Sequence, residues 1–203
     1  MTSDQDPLSS VRLTDPRALR AYAHPTRMAL VGLLRRDGPQ TATQAAGLIG
    51  ESVASCSFHL RQLAKYGLVE EAGGGRGREK PWRATAMFTS WDTRAADPVV
   101  ASAAQGLQLA VAERYFELAA RWIQANAQEP AEWQEAAGFG DCQLRLTAAE
   151  LLELNNQIQN LVQPYLEDPG ARRRKRGARP VALLHLAFPS DTTDQGPAAE
   201  TGS

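Results

Sequence analysis

Metal-ligating and redox residues are scarce in this chain of 203 residues, which holds two cysteines, Cys56 and Cys142, and three histidines, His24, His59 and His185. They form no C-x-x-C or H-x-x-x-H pair, so neither a disulfide framework nor a structural zinc site is expected, and no metal or cofactor is assigned. Long apolar runs are missing too. The best candidate, residues 99–123, is interrupted by Gln105, Gln108, Glu113, Arg114, Glu117 and Arg121, which argues against a membrane span. The first ten residues, MTSDQDPLSS, carry neither the basic nor the apolar segment of a signal peptide. A cytoplasmic protein with no membrane partner is therefore expected. The C-terminal third shows no paired carboxylates, nucleophile–base pair or phosphate loop at a recognisable spacing, so an enzyme is not expected.

Net charge is also small, at −1. Its distribution is more informative than its sum. Residues 1–100 hold 13 Lys and Arg against 10 Asp and Glu, whereas residues 101–203 hold 9 against 13. A polyanionic partner belongs to the N-terminal half. Hydrophobic residues make up 43% and charged residues 22%, an ordinary globular composition.

The chain divides into four parts: a disordered N-terminus at 1–14, a compact unit at 15–92, a second region at 97–188 and a disordered tail at 189–203. Asp15-Pro16 starts a helix that runs to about residue 23. Thr26 is the expected cap of a second helix, 27–36, which Asp37-Gly38-Pro39 ends. Thr41-x-x-Gln44 reads as a capping box for a short helix, 42–49, with Ala45, Leu48 and Ile49 inward. After the Gly50-Glu51 turn, Ser52 caps a fourth helix, 53–66, closed by Gly67. Two helices joined by a short Gly-containing turn are a helix-turn-helix signature. A strand at 68–72, a Gly-rich loop and a strand at 80–85 then read as a wing.

Asp97-Pro98 starts a long helix reaching about residue 126, with two apolar ladders. Val100, Ala104, Leu107, Val111, Tyr115, Leu118 and Trp122 form one; Leu109, Phe116, Ala119 and Ile123 form the other. A helix apolar on two sides is buried on two sides. One side is expected on its own domain and the other on a partner subunit, a homodimer. The last third reads as α+β. It has a strand at 142–146, a helix from the Thr147-x-x-Glu150 box to about residue 166, and a strand at 181–188 buried on both faces. The stripe of that helix, Leu151, Leu154, Ile158, Leu161, Val162 and Tyr165, is expected to face inward. The fold class is therefore mainly α with small β elements: a winged helix-turn-helix domain, a long dimerisation helix and an α+β C-terminal region.

Projected at 100° per residue, helix 53–66 places Cys56, Leu60 and Leu63 on a core edge. The opposite edge carries Ala54, Phe58, Arg61, Gln62 and Lys65, with Ser55 and Ser57 on its flanks. These residue types suit a DNA major groove. Arg and Gln make bidentate base contacts, Ser accepts several base edges, and Phe touches a thymine methyl. In the wing at 73–80, Arg76, Arg78 and Lys80 sit among glycines that permit close approach to phosphate. The expected DNA-binding set is Ser55, Ser57, Phe58, Arg61, Gln62, Arg76, Arg78 and Lys80, and the partner is double-stranded DNA.

These residues resemble the ArsR-like winged helix-turn-helix regulators over roughly residues 15–90. The matching pieces are His24-Pro25-x-Arg27, Ser57-Phe58-His59-Leu60-x-x-Leu63, Gly67-Leu68-Val69 and Gly75-Arg76-Gly77-Arg78-Glu79. The resemblance implies a homodimeric repressor that binds an inverted repeat and is released by an effector. It also implies that Ser55, Ser57 and Phe58 lie at base edges. The Cys pair and the His ligands of metal-sensing members are absent from helices 42–49 and 99–123. The alternative reading is a winged-helix protein-interaction module that does not bind DNA.

Several residues keep two readings. Cys56 and Cys142 read as structural rather than reactive, and His185 as a satisfied core histidine rather than a ligand contact. His59 has either a packing role or a DNA contact. The basic run 172–176 is either a solvated loop or a further phosphate contact. Trp122, Trp133 and Phe139 are either core or the lining of an effector pocket.

Overall fold

A computed structural model describes residues 10–73, 80–166 and 175–190. The expected disorder at residues 1–9 and 191–203 concerns residues outside that set. Helix α1, Pro16–Tyr22, starts where Asp15 accepts the backbone N–H of Arg17 at 2.8 Å. Helix α2, Pro25–Asp37, follows. Its cap is His24 rather than Thr26: Pro25 fills the first helical position, so the residue before it must supply the acceptor, and its Nδ1 receives the Thr26 N–H at 3.2 Å.

Helix α3, Ala42–Ile49, has the expected capping box, with Thr41 and Gln44 satisfying each other's backbone N–H. Gly50 lies in the left-handed region at φ 73°, and Gly67 does so at φ 70° after helix α4, Val53–Lys65. Both positions send the chain back over a helix end, where a Cβ would be strained.

Strand β1, Ser10–Leu13, pairs in parallel with β4, Phe88–Trp91. Disorder was expected through residue 14, and the structure corrects that for residues 10–13. The pairing partner lies 78 positions downstream, so local composition carries no trace of it. Strands β2, Val69–Glu71, and β3, Trp82–Ala84, form the antiparallel root of the wing.

The core lies where α1, α2, α3 and α4 meet the wing root and the first half of helix α5, Pro98–Ala125. Leu19, Leu30, Leu60, Leu63, Leu68 and Leu107 are fully buried. Each contributes about 1.5–3 kcal/mol of transfer free energy. Helix α5 packs on α1 through Ala103, Ala104 and Leu107. In α3 one expected inward position fails: Leu48 is exposed, and Ala46 is buried instead. Helix α3 packs against α2 and α4 with Ala45 and Ala46 buried and Ile49 partly buried against the core.

Beyond α5 come a 3-10 turn at Asn126–Gln128, a short helix α6, Ala131–Ala136, and helix α7, Ala148–Leu166, which opens on the expected Thr147–Glu150 box. The two expected strands of this region do not form. Residues 142–146 and 181–188 are neither helix nor strand. A strand needs a ladder partner, and neither segment finds one within the described residues. Consequently Val181 and Phe188 stay 74% and 70% exposed, and His185 is exposed rather than buried. None of the expected inward stripe of α7 is buried, with Leu161 and Tyr165 largely open to solvent. The mainly α fold with a winged helix-turn-helix domain stands, and its C-terminal region is a helical extension.

Candidate nucleic-acid interface

The turn between α3 and α4 sets the exposed edge of α4. Ser52 Oγ accepts the Ser55 N–H at 3.0 Å and fixes the first turn of the helix. Cys56, His59, Leu60 and Leu63 face the core. That leaves Phe58 half-exposed and Arg61 exposed, with Ser55, Ser57 and Gln62 half-buried on the flanks. The five residues expected on the reading helix thus share one side of α4.

The wing root is bolted to this helix pair. Gln40 and Trp82 exchange both backbone hydrogen bonds, at 3.0 and 2.8 Å, and Thr85 Oγ1 donates to the Gly67 carbonyl at 2.6 Å. Thr41, Thr43, Ser57, Glu71, Lys80 and Trp82 line an open cleft of about 300 Å³ between the start of α3, α4 and the wing root. The fold therefore brings Lys80 of the wing beside Ser57 of α4. Arg76 and Arg78 lie outside the described residues, as do residues 172–174 of the basic run.

Two acidic residues that the sequence reading passed over temper this surface. Lys80 Nζ donates to Glu71 Oε2 at 2.6 Å, and Arg83 pairs with Glu70 at 2.7 Å, directly across the ladder. Register alone carried the second signal: the strands pair Glu70 with Arg83.

Behind the exposed edge of α4 lies a second unforeseen group. The His24 and His59 rings stand 4.6 Å apart, and Arg27 Nη1 lies 3.4 Å from His59 Nδ1. Arg27 Nε donates to the Ala21 carbonyl, and Thr26 Oγ1 donates to Glu51 in the turn before α4. Burial holds both imidazoles below their ordinary 6.5; Arg27 helps for His24, and His24 and Arg27 help for His59, while Glu51 pulls the other way. His59 thus has the packing role. Burial pushes the Cys56 thiol up, as expected of a core residue. Cys142 is exposed, as is Phe139; Trp122 and Trp133 are half-buried, and Trp133 stacks under Arg179.

The stretch from the end of α1 through β2 is thus helix α2, then the two helices α3 and α4 about a tight turn, followed by a wing strand. Residues 22–72 match the model of a helix-turn-helix domain family. This helix-turn-helix domain supports a DNA-binding regulator. The match ends before the returning wing strand and leaves α5 to α7 unassigned. No curated protein matches the chain. No helix among the described residues is long and apolar enough to cross a membrane.

Proposed function

We propose that this protein is a sequence-specific transcriptional regulator of the ArsR-like kind, a homodimeric repressor that reads an inverted repeat in double-stranded DNA. The observation that carries the reading is the edge of α4: Ser55, Ser57, Phe58, Arg61 and Gln62 share one side of a helix-turn-helix second helix, with Lys80 of the wing alongside. Arg61 and Gln62 would specify bases, while Lys80, Arg76 and Arg78 would grip phosphate.

Residues 15–92 serve as the DNA-binding unit and residues 97–188 as the dimerisation region. Leu109, Phe116 and Ile123, three members of the second ladder of α5, are each more than half exposed in the single chain. A second copy covering them would place two reading helices in successive major grooves, about 34 Å apart. An effector that changed the angle between the two α5 helices would change that spacing. A cytoplasmic location follows from this role.

A fluorescence titration of random duplex DNA against salt tests the reading. Affinity that falls steeply with salt supports it, because phosphate contacts release counterions. No binding at low salt would favour the protein-interaction module.

A further inference from the structure

We infer that the His24–Arg27–His59 cluster is a positioning device that holds α4 in its reading pose only while both imidazoles are neutral, so that acidification releases DNA. The inference deepens the DNA-binding reading and rests on it.

Both histidines use Nδ1 as an acceptor. In His24 it takes the Thr26 N–H at 3.2 Å and so caps α2. In His59 it faces the guanidinium of Arg27 at 3.4 Å, and a guanidinium only donates. A proton on either Nδ1 sets donor against donor. At His24 it removes the cap of α2; at His59 it places a second positive charge against Arg27.

The cluster sits where it would matter. Arg27 is tied to the Ala21 carbonyl at the end of α1, so it does not swing away freely. His59 is 9% exposed and belongs to α4 itself. Its ring meets the neighbouring Phe58, a reading residue, edge-to-face with centroids 5.2 Å apart. The groups facing the pair are Arg27 on α2, Glu51 in the turn before α4, and Tyr66 at the end of α4, which acts on Arg27. Glu51 alone favours a charged imidazole, and its carboxylate is already engaged by Thr26 Oγ1 at 3.2 Å. One protonation therefore disturbs the start of α2, the helix-turn-helix turn and the reading helix together.

The direction of the effect is diagnostic. An added positive charge on a DNA-binding protein would by itself tighten its grip on phosphate. Weaker binding in acid requires that the pose, not the charge, decides.

The test compares the affinity of the full chain for one selected duplex at pH 7.5 and 5.5, with His24→Asn/His59→Gln alongside. Asn keeps an N-cap acceptor at position 24, and neither replacement titrates. The expected result is a loss of at least about tenfold for the wild type, or about 1.4 kcal/mol, and a nearly flat ratio for the double variant. Unchanged or tighter wild-type binding in acid would overturn the inference, and so would an equal loss in the variant. His185→Gln should retain the wild-type loss. NMR titration of the imidazole carbons and the α4 amides separates this inference from the reading beneath it. If no duplex is bound at any pH, α4 amide shifts that track His24 and His59 still support the device, and their absence overturns it.

Discussion

Arg35 Nη2 on α2 donates to Thr89 Oγ1 on β4 at 2.7 Å, across 54 positions of sequence. Its Nε donates to the Ala86 carbonyl at 2.8 Å. Burial pulls the half-buried guanidinium below its ordinary value, yet these bonds keep it satisfied. This one side chain ties the helix-turn-helix domain to the strand that also anchors the N-terminal β1.

Arg35→Met removes both bonds while filling similar space. We expect a loss of about 1.5–3 kcal/mol, the weight of hydrogen bonds to a charged group whose partners are left unpaired. Urea unfolding measures it. An unchanged midpoint would mean that the β1–β4 pair does not depend on this link.

Glu71→Gln frees Lys80 from its 2.6 Å partner at the edge of the cleft beside Ser57. Affinity for all duplexes should rise, and the slope of log affinity against log salt should steepen by about one phosphate contact. Arg61→Ala and Gln62→Ala should instead relax preference at particular base positions, at about 1–3 kcal/mol per lost contact. Identical behaviour of the two classes of variant would contradict the division of labour between wing and helix.

Phe116→Glu places a charge on the exposed ladder of α5, where Phe116 is 57% exposed in the single chain. Sedimentation should show a monomer with undiminished helical signal, and binding to an inverted repeat should fall towards that of a single half-site. A variant that stays dimeric would move the subunit interface elsewhere.

Folding stability should depend on pH through His24 and His59. Both imidazoles lie below the ordinary value of 6.5 in the folded protein, so the unfolded chain binds protons first as pH falls. Their contribution is complete above pH 6.5 and is lost as pH drops below it through the folded values. Unfolding midpoints at pH 7.5, 6.5 and 5.5 should decline in the wild type and decline less in His24→Asn/His59→Gln.

The sequence carried those elements whose signals are local. The capping boxes at Thr41 and Thr147, the Ser52 cap and the core edge of Cys56, Leu60 and Leu63 all stand where their spacing put them. What escaped it depends on partners remote in sequence. The β1–β4 pairing, the Arg35 link and the His24–His59 contact span 78, 51 to 54 and 35 positions, and no periodicity reports them. The strands expected at 142–146 and 181–188 failed for the opposite reason. Their apolar pattern is real, but a pattern without a ladder partner leaves Leu144 and Leu183 at 60% and 64% exposure.

The central claim is that α4 reads DNA sequence from a symmetric dimer. Selection of bound sequences from a random duplex pool, with the purified protein at physiological salt, tests it most directly. The account predicts enrichment of an inverted repeat whose half-sites are centred about 10–10.5 base pairs, or a multiple of that, apart. No enrichment above the starting pool would contradict it.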